Sequence, residues 1–182
     1  SSTLVAAALS LKDAQKRNFY LDFYLNRDTV VDGCGQLSLP SASKLWFTPD
    51  GHWKEPGGYH NYPVSKLIEA ALMLENNGYQ IFNQYPILLN ASYVMLKYSF
   101  PDLTASAFGD TGRPRQSMEC LESAILMADK YQLPILPDLL NAAMILEQAG
   151  QYDRSKSGLT GLLCYLPELP KAKSVDNHLW NR

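Results

Sequence analysis

"SKLIEAALMLENNG", Ser65 to Gly78, places Leu67, Ile68, Ala71, Leu72 and Glu75 at spacings of three and four and then halts at Asn77-Gly78. That is the period of a one-sided helix with its stop signal. The pattern recurs on both sides. Ala14 to Leu25 sets Phe19 with Phe23 and Tyr20 with Tyr24 at i, i+4, which predicts a second one-sided helix. "YPILLNASYVMLKYSFP", Tyr85 to Pro101, carries Leu88, Leu89, Ser92, Tyr93 and Leu96 on one face. Pro86 is compatible with its first turn and Pro101 marks its end. Ser117 is a capping residue for "MECLESAILMADKY", and Pro137 opens "DLLNAAMILEQAG", which stops at Gly150. A short helix is expected near Ser157 to Leu163. No segment alternates with period two.

The expected fold is therefore all-α, a single domain or fragment over residues 1–182. A short connection after Asn76 implies antiparallel neighbours, whereas residues 28–63 and 100–116 are long and rich in Gly, Pro, Asp and Ser. Antiparallel helical hairpins with their long loops gathered at one end would form an incomplete α/α toroid or a curved helical array.

Composition narrows the classes of function. The 182 residues are 46% hydrophobic, enough for a core of ordinary size and a globular chain. A net charge of -2 with dispersed charges argues against nucleic acid, and the absence of a basic amphipathic run argues against a membrane surface. Cys34, Cys120 and Cys164 lie too far apart for a disulfide framework or a CxxC zinc site and are expected to be small buried hydrophobes. The histidines are too scattered for a helix-borne metal site, so no metal and no cofactor is expected. The N-terminal "SSTLVAAALSLKDAQKR" lacks a basic leader and reads as mature protein; beginning within a helical pattern, it suggests part of a longer chain.

Chemistry concentrates in "WFTPDGHWKEPGGYHNYP", Trp46 to Pro63, which packs aromatics, carboxylates, two histidines and two tyrosines into an irregular segment before a helix. Loops on a rigid scaffold are where binding and catalytic groups gather. Trp46 and Trp53 offer indole faces that suit sugar rings; a packing role, pinning the loop to the helices with Phe47, is the preferred reading for Trp46, and His52 is a weak candidate. "FPDLTASAFGDTGRPRQS", Phe100 to Ser117, supplies Asp110, Arg113 and Arg115 beside a helix N-terminus, a combination suited to an anionic ligand or to a simple turn salt bridge. Its GDTG is no phosphate loop, since the Gly-Lys-Ser/Thr ending is missing.

"PDGHWKEPGGYHNYPVSKLIEAALML", followed by a helical hairpin, resembles the catalytic toroid of the heparinase II/III-like polysaccharide lyases and the related oligo-alginate lyases. There, a DG-x-aromatic-x-E/Q segment precedes a tyrosine-bearing helix entrance. The resemblance is concentrated in Phe47 to Glu75. It implies β-elimination on an acidic polysaccharide or oligosaccharide: loss of the C5 proton of a uronic acid and expulsion of the 4-O-glycosyl group, which needs a neutralised carboxylate, a base and an acid. Tyr59, on the irregular Gly57-Gly58 approach, is the favoured base and acid. Tyr62 supports it, and His60 is a second proton-transfer group or carboxylate orienter. Trp53, Glu55, Asn61, Arg113 and Arg115 are the substrate-binding candidates. The family also implies a periplasmic or secreted location and a downstream β-sandwich of the same parent protein. Its carboxylate-neutralising Asn is not identifiable here, and neither Asn18 nor Asn26 is assigned. A helical-toroid glycoside hydrolase using Asp50, Glu55 and Asp110, or a non-catalytic carbohydrate-binding module, uses the same residues differently.

Overall fold

The computed structural model describes residues 2–55, 57–100, 103–105, 112, 116–152 and 158–163. Among these the chain is mostly helical: α1 (Ser2–Leu9), α2 (Ala14–Leu25), α3 (Leu39–Leu45), α4 (Asn61–Glu75), α5 (Ile81–Gln84), α6 (Pro86–Lys97), α7 (Met118–Lys130), α8 (Leu136–Gln148) and α9 (Gly158–Leu163).

Local chemistry accounts for the boundaries. Asp13 caps α2 by accepting the Gln15 and Lys16 amides at 2.9 and 3.2 Å, and the Ser117 hydroxyl accepts from the Cys120 amide at the start of α7. Such caps satisfy donors that a helix N-terminus otherwise leaves unpaired. Prolines occupy the first turns of α3, α6 and α8, where the missing N–H costs no hydrogen bond. Helix α3 is capped from a distance: Asp28 accepts from the Ser38 amide at 2.7 Å and from the Ser38 and Ser41 hydroxyls at 2.8 and 2.7 Å. Those bonds, the backbone one first, hold the Asp28 carboxyl below its ordinary range.

Helix α4 is the hub, packing on α1, α5, α6, α7 and α9. It buries Val64, Ile68, Ala71, Leu72 and Leu74. On α6, Leu88, Leu89 and every residue from Ala91 to Leu96 are buried, so this helix is covered on all sides and acts as a rigid internal strut. At the far end of α4 the buried Glu75 carboxylate accepts from the Phe82 amide at 3.0 Å, from the Tyr131 hydroxyl and from Lys130, joining α4 to α5 and α7.

Three expectations are corrected. Residues 28–63 are not one irregular loop. They contain α3, a 3-10 turn at Gly57–Tyr59 and an antiparallel hairpin of β1 (Thr29–Val31) with β2 (Cys34–Gln36). Asp32 and Gly33 turn that hairpin at φ of 50° and 79°, the left-handed pair that a two-residue hairpin turn requires. Helix α2 buries only one of its paired aromatics: Tyr24 faces the core with Leu21 while Phe19 and Tyr20 are exposed, with the Arg27 guanidinium over the Phe19 and Phe23 rings. Cys120 is buried as expected, but Cys34 is exposed on β2; Cys164 lies outside the described residues.

Candidate functional site

The loop from Trp46 to Pro63 is folded tightly from within. Phe47 and Trp53 form an antiparallel bridge, the Thr48 amide reaches the His52 carbonyl at 2.8 Å and the Lys54 amide reaches the Trp46 carbonyl at 3.0 Å. The Thr48 hydroxyl donates to Asp50 at 2.5 Å and accepts from the His52 amide at 2.9 Å. Asp50 also accepts a hydrogen bond from the Tyr98 hydroxyl at the end of α6. These bonds, Thr48 first, hold the Asp50 carboxyl below its ordinary range, and the Asp50 bond raises the Tyr98 phenol.

Two residues fasten the loop to α6. Gly51, at φ +97°, comes so close that a Cβ there would stand 2.7 Å from the Ala91 nitrogen and 2.8 Å from the Asn90 carbonyl carbon. Only glycine allows both the conformation and the approach. His60 is 1% exposed. Its Nδ1 accepts from the Trp53 amide at 2.9 Å, and its Nε2–H donates to the Ala91 carbonyl at 3.0 Å. Burial, outweighing that bond, pushes the imidazole down to about 4, so it is neutral at ordinary pH.

This corrects the expectation for His60. With both ring nitrogens committed and no exposed edge, it is a positioning residue, and proton transfer to a substrate has no route through it. Its neighbour Tyr59 ends the 3-10 turn at 47% exposure, and Tyr62 in the first turn of α4 is 76% exposed. His60 has helical backbone angles, so the two phenols stand three residues apart on one helical face.

A groove of about 860 Å³ opens beside α4, with Trp46, Trp53, Tyr62, Lys66, Tyr24 and Cys34 among its lining. Trp46 stacks on Trp53 with ring centroids 5.3 Å apart and planes 8° from parallel, while Phe47 meets Trp53 edge-on. Phe47 is the buried pin of the loop, and Trp46 packs on Trp53 as expected while leaving 41% of its surface exposed. The Trp53 indole N–H donates to Glu55 at 2.8 Å, so Glu55 orients an indole. Lys66 sits one turn after Tyr62 and pairs with Glu69 at 3.0 Å. Asn61 opens α4 between His60 and Tyr62.

Sequence reasoning overlooked Tyr98 and Lys66. Tyr98 reaches Asp50 from 48 residues away, with no local signal, whereas Lys66 at i+4 from Tyr62 was readable from helical spacing. Asp110, Arg113 and Arg115 lie outside the described residues. Gln116, which follows them, is buried and donates to the Ser92 carbonyl at 2.7 Å, tying the chain back to α6. Among the described residues no group of three or more His, Cys, Asp or Glu side chains could hold a metal ion, and no helix is long and apolar enough to cross a membrane. Comparison with known protein families, with curated proteins and with solved structures finds no match in any of the three.

Proposed function

We propose that this chain is the helical part of a polysaccharide lyase that cleaves uronic-acid-containing chains by β-elimination, with Tyr59 as its proton-transferring phenol. The supporting observation is a groove at the α4 entrance lined by Tyr62, an exposed indole and a lysine, with the half-exposed Tyr59 three residues ahead of Tyr62. Tyr59 is favoured over Tyr62 on two grounds. It is bonded in sequence to the residue that anchors the loop to α6, and preorganisation of that kind is what a reacting group needs. It is also the less hydrated of the two phenols. Tyr62 then serves as groove wall, Trp46 as a stacking surface for a sugar ring, and Lys66 as a cation within reach of a uronate carboxylate. Arg113 and Arg115, which lie outside the described residues, are retained as candidates for binding the anionic substrate, and a β-sandwich of the same parent protein completes the site. The reaction takes place where such polymers occur, in the periplasm or outside the cell.

The hydrolase alternative needs one carboxyl that stays protonated to act as acid. Asp50 is held in the opposite state by Thr48 and Tyr98, which suits it to the base or nucleophile of such a pair and not to the acid. The test is incubation of the chain with heparan-, chondroitin- and alginate-type polymers while near-ultraviolet absorbance and reducing ends are followed together. A lyase yields both signals in step. Reducing ends without absorbance would mean hydrolysis, and binding with neither signal would mean a non-catalytic module.

A further inference from the structure

We propose that Glu69 makes the groove beside α4 selective for unsulfated uronate: it accepts a ring whose carboxylate is its one negative charge and rejects a ring that also carries a sulfate ester. The inference rests on the reading above, in which a uronate lies in this groove against Lys66, and it narrows the class of substrate.

The charge balance of the groove carries it. Among the described lining residues, Lys66 and Glu69 are the charged side chains, and they pair with each other at 3.0 Å, three residues apart on α4. The groove is therefore neutral before a ligand arrives. An ammonium group has three N–H donors, so Lys66 can keep Glu69 and still take the carboxylate of a uronate. That leaves this wall with one negative charge in excess. A sulfate on the same ring adds a second, with no further cation among the described lining residues to meet it. Glu69 is also poorly placed to withdraw into water, since its side chain is 18% exposed against 50% for Lys66. A partly buried charge is screened less than an exposed one, and like charges brought together on binding reject the wrong partner.

The remaining lining suits ring faces and hydroxyl groups. Trp46 presents an open indole face, held parallel to Trp53, and Gln36 is exposed on β2. Tyr24 also lines the groove, almost wholly buried, and its hydroxyl has no hydrogen-bond partner. Burial pushes that phenol up, so it keeps its proton and stays a neutral donor. At about 860 Å³ the groove has room for a sulfate group. Charge, not size, is what keeps it out.

Two heparin tetrasaccharides that differ only in the 2-O-sulfate of the uronate test this by calorimetric titration of the parent chain, of Glu69→Gln and of Trp46→Ala. The parent should bind the desulfated probe about three to ten times more tightly, the effect of one partly exposed like-charge contact. Glu69→Gln keeps the length of the side chain and removes its charge, so it should tighten the sulfated probe by about the same factor and narrow the gap. Weaker binding of both probes by Trp46→Ala places them in the groove. Equal affinities in the parent, a gap that Glu69→Gln leaves open, binding that Trp46→Ala leaves intact, or no binding of either probe overturns the inference. Elimination plays no part in these titrations. A desulfated preference that closes in Glu69→Gln, with no unsaturated uronate formed, upholds the selectivity while the lyase reading fails; unsaturated uronate formed from two probes of equal affinity does the reverse.

Discussion

Gly51 meets Ala91 closely enough that a methyl group at Gly51 would stand 2.7 Å from the Ala91 backbone nitrogen. Because that nitrogen belongs to α6, a helix buried along most of its length, neither side can give way. Gly51→Ala combines a strained positive φ with an overpacked contact, and each costs roughly 1–3 kcal/mol. Urea denaturation should show a loss of about 3 kcal/mol. Gly33→Ala, at a positive φ with nothing within 4 Å of the added carbon, should lose only about 1 kcal/mol. Equal losses at the two sites would mean that the loop does not dock on α6 as described.

His60 makes stability fall on mild acidification. Its imidazole has an ordinary value of 6.5 and is pushed down to about 4 in the folded chain, chiefly by burial. Between those values the unfolded chain binds a proton that the folded chain refuses, so stability drops as pH falls through this window. The loss reaches on the order of 3 kcal/mol near pH 4. The depressed carboxyls of Asp22, Asp28 and Asp50 act lower, beginning only at their ordinary value of 3.8. Denaturant midpoints measured from pH 7 to pH 4 should show the slope, and His60→Gln, whose amide can still reach the Ala91 carbonyl, should flatten it. An unchanged slope in the variant would assign the effect elsewhere.

Glu75 is a structural carboxylate. Its side chain is almost wholly buried and accepts from a backbone amide, a phenol and an ammonium group, and the Tyr131 phenol beside it is pushed up to about 12 by burial and by that charge. Glu75→Ala leaves the Phe82 N–H without its partner and should cost about 3 kcal/mol by chemical denaturation. Glu75→Gln keeps an acceptor for both Phe82 and Tyr131 and should cost less than half of that.

Trp46 tests the sugar platform separately from the chemistry. Removing an exposed, stacked indole costs about 1 kcal/mol of pairing with Trp53, but it deletes a face open to a ligand. Trp46→Ala should weaken binding of a uronate oligosaccharide about tenfold, or about 1.4 kcal/mol, in calorimetric titration. Undiminished affinity would move the sugar site away from this groove.

Much of the helical framework is legible in the sequence because its signals are local. The expected span for α2 matches its observed limits, α6 begins at Pro86, α7 begins directly after its cap Ser117, and α8 begins one residue ahead of Pro137. Helix α4 starts at Asn61, ahead of the expected Ser65, because Pro63 is tolerated in a first turn. The Asp32-Gly33 signal was present, but two three-residue strands are too short to show alternation. Helix α3 read as loop because its cap comes from Asp28, ten residues away. The site was legible as a crowded segment and illegible in its roles. Whether His60 reacts or merely anchors depends on a carbonyl 31 residues further along the chain. Periodicity does not report that distance.

The most direct measurement is the rate at which Tyr59→Phe forms unsaturated uronate, followed at near-ultraviolet wavelengths on a polymer that the parent chain cleaves. The substitution keeps the ring and deletes the ionisable oxygen of a side chain that is about half exposed, so fold and affinity should persist while elimination is lost. Tyr62→Phe should retain most of the activity. Elimination at the parent rate by Tyr59→Phe would contradict the account.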